Sequence, residues 1–189
     1  MKLFVSFLLA LLTATAAVSV RAEKADSQKP TNIEADQMAY DDVKQINTFT
    51  GNVILTRGTL IMRANKLIVT QDPAGYQHAT LLAPQGGLAT FRQKRDGPGD
   101  QWVEGQAERI EYDGRAELVK LFSKAKMRRL EGTRPTDEVE GEFISYDSRA
   151  EFFSVNNTAN GSSKPGGGRI KAVIQPRTEA KPGEQKDKQ

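Results

Sequence analysis

Cysteine is absent from all 189 residues, which excludes disulfides, thiolate metal sites and cysteine nucleophiles, although an exported protein would be free to use cross-links. Histidine occurs once, at His78, so no Ser/His/Asp arrangement can be built around alternative imidazoles, and His78 reads as a polar turn residue. Outside the N-terminus no apolar run approaches the roughly 18 residues that a membrane span needs. Nor does any segment from Thr31 to Ile174 show a helical period. Excess positive charge is missing from the body of the chain. Residues 23–163 hold 18 basic and 21 acidic side chains, a net of −3, whereas residues 164–189 hold 7 and 3, a net of +4. A nucleic-acid binder concentrates Lys and Arg on its folded face, so no nucleic-acid partner is expected.

The first 22 residues read as a secretory signal: Lys2, the apolar Leu3–Val20 stretch, and the small-residue end Val20-Arg21-Ala22. Cleavage after Ala22 leaves about 167 residues, enough for one domain with a real core. The short basic start suits a bacterial periplasmic protein. Beyond Pro176 the chain is Lys, Glu, Gln and Pro with nothing to bury, so residues 176–189 are expected to be a disordered polar tail.

The body carries an internal repeat. Ala35-Asp36-Gln37-Met38-Ala39-Tyr40-Asp41 is echoed from Ala64, from Ala107 and from Gly141, with starts 29, 43 and 34 positions apart. Each copy has a small residue, an acid or amide, and two buried-type residues two apart: Met38/Tyr40, Leu67/Val69, Ile110/Tyr112 and Ile144/Tyr146. Such alternation is a half-buried strand. Upstream of the small residue the apolar positions, such as Leu60/Met62/Ala64, fall on the opposite parity. A one-residue slip flips every side chain unless the strand bulges or bends there. Each copy is therefore read as a strand that turns a corner.

A second half of the unit follows 14 residues later: Phe49, Gly51, Val53 and Leu55 after Ala35, and Leu121, Ser123, Ala125 and Met127 after Ala107. Turn residues lie between the halves at Asp41-Asp42, Asp113-Gly114 and Asp147-Ser148, and Asp-Gly predicts a two-residue hairpin. The fold class is all-β, built from repeated cornered hairpins. These can close into a barrel, stack as a two-sheet jelly roll or wind as a solenoid. Arg169–Ile174 reads as a C-terminal edge strand after a Gly166–Gly168 linker, and Ile33 lies in the first strand at the opposite end. Ile170–Ile174 is apolar apart from Lys171, which invites strand addition by a partner.

Three side-chain sets remain. Asp36, Asn65, Glu108 and Glu142 recur at equivalent positions and suggest either corner residues that satisfy backbone groups, or a carboxylate site for carbohydrate chemistry or calcium. Lys120, Lys124, Lys126 and Arg128, with Arg129 adjoining, predict a row of cations above one sheet, suited to phosphates. The inward set Ile33, Met38, Phe49, Val53, Leu55, Leu67, Val69, Phe91, Ile110, Tyr112, Leu121, Met127, Ile144 and Tyr146 would line an apolar interior.

Ile33-Glu34-Ala35-Asp36-Gln37, Phe49-Thr50-Gly51-Asn52-Val53, Ala64-Asn65-Lys66-Leu67, Ala89-Thr90-Phe91 and Val103-Glu104-Gly105 through Tyr112 together resemble the OstA-like (LptA) family of periplasmic lipopolysaccharide transport proteins over residues 31–175. Departures are Ser123-Lys124 where the family favours Gly-Asn, the glycine-rich 161–168 stretch and the polar tail. The resemblance implies an open, V-shaped β-jelly roll, no cofactor and no enzymatic activity. It implies a bridge between inner and outer membranes that supports outer-membrane assembly by carrying lipid A acyl chains in the apolar groove. It also implies an LptC-like inner-membrane protein at the N-terminal edge (Thr31, Asn32, Ile33, Glu34), an LptD-like outer-membrane protein at the C-terminal edge (Ile170, Lys171, Ala172, Val173, Ile174), and head-to-tail self-association. The physics agrees: at ~0.8 kcal/mol per CH₂, an acyl chain of about a dozen carbons costs roughly 10 kcal/mol to expose. The alternative is an extracytoplasmic β-solenoid enzyme or adhesin acting on carbohydrate through the recurring acids.

Overall fold

The computed structural model describes residues 26–97 and 99–176; the signal segment and the tail beyond Pro176 lie outside the described residues. Among the described residues twelve strands follow one another: β1 (Asn32–Glu34), β2 (Gln37–Asp41), β3 (Ile46–Arg57), β4 (Leu60–Gln71), β5 (Gln77–Leu82), β6 (Ala89–Lys94), β7 (Gln101–Ala107), β8 (Arg109–Asp113), β9 (Leu118–Glu131), β10 (Arg134–Asp147), β11 (Phe152–Asn156) and β12 (Lys171–Ile174). Every pairing is antiparallel.

The long strands β3, β4, β9 and β10 each serve two layers. One half of β4 pairs with β6 and the other with β5. Likewise, β9 pairs with β8 at one end and β7 at the other, β3 with β2 and β1, and β10 with β11 and β12. The first layer therefore runs β1-β3-β4-β6-β7-β9-β10-β12 and the second β2-β3-β4-β5-β8-β9-β10-β11. Joined along one corner and antiparallel throughout, they form an all-β V with the jelly-roll architecture that the cornered hairpins predict.

The corner has a local cause. In β4 the buried positions are Leu60 and Met62 on one side and Leu67 and Val69 on the other, which is the parity slip seen in the sequence. The extra residues are taken up by the neighbouring strands. β3 changes register between Thr50 and Val53, with Gly51 and Asn52 at φ 82° and 46°. β9 does so opposite Gly141/Phe143, with Ser123 and Lys124 at φ 61° and 54°. Two successive left-handed residues bend the strand and raise its twist.

The hairpin prediction needs correction. Asp113-Gly114 is not a two-residue turn: Asp113 pairs with Leu118 across four intervening residues, and the left-handed residue is Glu117 at φ 52°. Asp41↔Ile46 and Asp147↔Phe152 enclose loops of the same length, with Gln45 at φ 53° and Glu151 at φ 50°. In each loop the leading aspartate accepts backbone N–H groups: from Lys44 at 3.0 Å, from Arg115 and Ala116 at 2.9 Å, and from Arg149 and Ala150 at 2.9 and 3.0 Å. The aspartate thus sets the loop through its side chain, leaving the positive φ to the fourth loop residue.

The supposed linker at 166–168 also differs. Residues 157–170 form a knitted loop in which Asn157 donates to the carbonyls of Lys164 (2.9 Å) and Gly168 (3.1 Å) and accepts from the Lys164 N–H at 3.0 Å.

Candidate functional site

The space between the layers is lined by one continuous apolar cluster. Val53, Leu55, Leu67, Val69, Phe91, Ile110, Leu121, Met127, Ile144 and Tyr146 are all buried in it, and Ile33, Phe49 and Tyr112 pack against its margin. Met38 departs from the inward set: it is 57% exposed, because β2 is the last strand of its layer and no described residue covers it. Midway along the V the two layers pack closely. A methyl group on Gly105 would lie 2.1 Å from Phe91 Cε1 and 2.9 Å from Leu121 Cδ2, so only glycine lets these two side chains meet over β7.

Toward the N-terminal end the layers part. A cavity of about 210 Å³ opens there, walled by Ile33, Phe49, Leu55, Leu60, Met62, Val69 and Ala79 and edged by Thr31, Asn47, Arg57, Gln77 and Tyr112. Its walls are apolar and its rim polar, the distribution that suits an amphiphile. The Arg57 guanidinium donates to the Tyr112 hydroxyl at 2.5 Å and lies 5.1 Å from that ring's centroid.

The recurring acids and amides lie elsewhere. Asp36, Asn65, Glu108 and Glu142 are all exposed along the outside of the corner. Asp36 accepts from Asn52 at 2.9 Å, and its N–H donates to the Gly51 carbonyl at 3.0 Å. The Glu108 N–H makes the equivalent bond to Ser123, and its carboxylate pairs with Lys124 at 2.7 Å. These contacts hold the bend. His78 lies on β5, its Nδ1 3.8 Å from Asp113 Oδ1, so it is a strand residue and not a turn residue.

The predicted row of cations is largely neutralised. Lys126 bridges Glu138 at 2.7 Å and Glu140 at 3.1 Å, and Arg128 pairs with Glu104 at 3.1 Å. The hydrogen bond to Glu108 raises the pKa of Lys124, that to Glu138 raises the pKa of Lys126, and Lys126 in turn lowers that of Glu140. Arg129, expected beside this row, faces the interior: it lies 5.0 Å from the Phe153 ring centroid and donates to the Glu151 carbonyl at 2.9 Å. Arg129 shares the parity of the inward Ala125 and Met127, as Arg57 shares that of Val53 and Leu55, so the inward arginines continue the apolar face to its rim.

Both ends of the V expose strands. Among the described residues β1 and β2 each pair only with β3, and β11 and β12 only with β10. Exposed large hydrophobics gather there: Met38 and Tyr40 on β2, Phe152 on β11, and Ile170, Val173 and Ile174 on or beside β12. Lys171 lies 3.5 Å from Glu140.

Comparison with known proteins agrees with this geometry. Residues 32–152 match the family model described as LptA/(LptD N-terminal domain) LPS transport protein. The lipopolysaccharide export system protein LptA of Haemophilus influenzae is 30% identical over 165 residues, 87% of this chain and 91% of that protein. Escherichia coli K12 LptA is 32% identical over 81% of this chain and 80% of its own length. The crystal structure of Pseudomonas aeruginosa LptH, the LptA-homologous periplasmic component of the lipopolysaccharide transport device, superposes with a TM-score of 0.68 at 27% identity, covering 80% of this chain and 99% of that one. The chain belongs to the LptA/LptD N-terminal domain family of LPS transport proteins.

Proposed function

We propose that this chain is a periplasmic lipopolysaccharide transport protein that shelters lipid A acyl chains between its two layers and joins like-folded domains at its two ends. The observation that carries the reading is the coincidence, in a member of this family, of an apolar interior opening at the N-terminal end with unpaired strands at both ends.

Strand direction supports the bridging role. Because each layer has an even number of antiparallel positions, β12 runs opposite to β1 and β11 opposite to β2. A neighbour stacked head to tail in the same orientation extends both layers as antiparallel sheet. Such a junction is heterologous and does not close, so copies add in a line. An LptC-like domain at β1/β2 and an LptD-like domain at β11/β12 complete the bridge. Residues 31–175 act as one domain in this scheme, with the signal removed and the tail outside it.

To pass its cargo on, the carrier holds it weakly, since a deep apolar well would trap it. Phe49→Glu is the test. It places a charge on the cavity wall at a half-buried position, which lowers stability by about 1–3 kcal/mol, and the folded variant no longer co-purifies with lipopolysaccharide. Undiminished retention of lipopolysaccharide by the folded variant contradicts the proposal.

A further inference from the structure

Arg57, Arg95 and Arg129 stand at the ends of the first-layer strands farthest from the corner, and all three reach across the mouth of the V to the second layer. Arg57 Nη2 donates to the Tyr112 hydroxyl. Arg95 Nη2 pairs with the Glu151 carboxylate, and its Nη1 donates to Gln101 Oε1 at 3.2 Å. Arg129 Nη2 donates to the Glu151 carbonyl. In all three the Nε–H is buried and has no acceptor among the described residues. A buried guanidinium N–H left without a partner is destabilising, and here the same atom is left so three times along one rim. The outward cations are different: Arg92 and Arg128 share Glu104, and Lys126 is held by Glu138 and Glu140.

A phosphate binds a guanidinium side-on, placing one oxygen on Nε and another on Nη. Tyr112 and Glu151 engage Nη alone. We propose that Arg57, Arg95 and Arg129 form an anion-binding rim for the phosphate groups of the amphiphile whose acyl chains occupy the interior, an inference that rests on the carrier function above. Tyr112 and Glu151 act as stand-ins that hold the guanidiniums across the mouth. An arriving phosphate displaces them, takes both Nε and Nη, and frees the two layers to separate around the chains. Arg57 already edges the apolar cavity, so a single molecule can place its chain on Phe49 and Leu55 and its charge at the rim.

The test uses the full mature chain and three probes: bisphosphorylated lipid A in detergent micelles, the same lipid enzymatically dephosphorylated, and inorganic phosphate. The wild-type protein binds the phosphorylated lipid at least about tenfold more tightly than the dephosphorylated one. The triple variant R57Q/R95Q/R129Q loses that preference. In the wild-type protein, phosphorylated lipid shields the three arginines from phenylglyoxal and inorganic phosphate at the same concentration does not. This shielding experiment decides the matter even if the triple variant fails to fold. A wild-type protein that binds both lipids equally, a variant that keeps the preference, or shielding by inorganic phosphate alone overturns the rim and leaves the carrier function standing. A wild-type protein that binds neither lipid overturns the carrier function and the rim with it.

Discussion

Ser123 and Gly51 occupy equivalent places in the two bulged strands, yet one carries a side chain at φ 61° and the other is glycine at φ 82°. An L-residue held in the left-handed region is disfavoured by about 1 kcal/mol, and glycine relieves it. Ser123→Gly therefore raises stability by about 0.5–1 kcal/mol in thermal or urea unfolding, less than the full relief because glycine also loosens the unfolded chain. Asp113 offers a test of the loop mechanism. Backbone N–H groups of Ala116, first, and Arg115 hold its carboxyl below its ordinary value of 3.8. A depressed carboxylate stabilises the fold fully above that value, and its contribution is lost as pH falls through the folded-state value. Asp113→Ala thus lowers the melting temperature at neutral pH, and the gap to wild type narrows at about pH 3; a gap that is constant with pH contradicts the mechanism.

At the scale of the element, the proposed head-to-tail association turns on β12. Gln175 donates its N–H to the Thr136 carbonyl at 2.9 Å. Since direction alternates along a strand, Val173 also points at β10 while Ala172 and Ile174 point to the free side. Proline at Ala172 removes an outward donor from an edge, where proline is tolerated. Proline at Val173 breaks the pairing with Glu138 instead. Ala172→Pro is therefore expected to abolish concentration-dependent growth in light scattering with the monomer intact, whereas Val173→Pro detaches β12 from its own sheet. Growth of the folded Ala172→Pro protein equal to wild type argues against strand addition at this edge.

Much of this scale was legible beforehand. The Leu60/Met62 to Leu67/Val69 slip announced the corner because burial parity survives in the sequence wherever both faces of the bend are apolar. The four-residue loops were not legible, because an aspartate side chain, and not the Asp-Gly backbone, sets them. The inward Arg129 was legible, since it continues the parity of the inward Leu121, Ala125 and Met127; it was instead grouped with its outward neighbour Arg128. The N-terminal approach was missed as well. Asp26 is buried and accepts hydrogen bonds from the Thr59 N–H at 2.8 Å and from Gln93 at 3.1 Å, a contact between positions far apart in sequence and without pattern.

Across the whole molecule, the interior is apolar along its length but filled by its own side chains midway, where Leu81, Ile110, Leu121 and Ile144 are all 0% exposed. Cargo that travels the full length must part these residues; among the described residues the mouth is bridged by Arg57–Tyr112, by the Arg95 and Arg129 contacts with Glu151 and by Arg129 over Phe153, and the corner is the available hinge. Adjacent strands of the first layer provide an internal comparison. Phe91 on β6 points between the layers, whereas Trp102 on β7 lies on the outer face beneath Arg92, 4.3 Å from its ring centroid. The most direct measurement places a photo-crosslinking residue at Phe91 or at Trp102 in cells actively exporting lipopolysaccharide. Lipopolysaccharide adducts at Phe91 and none at Trp102 are the predicted result; adducts at Trp102 with none at Phe91 would contradict passage between the layers.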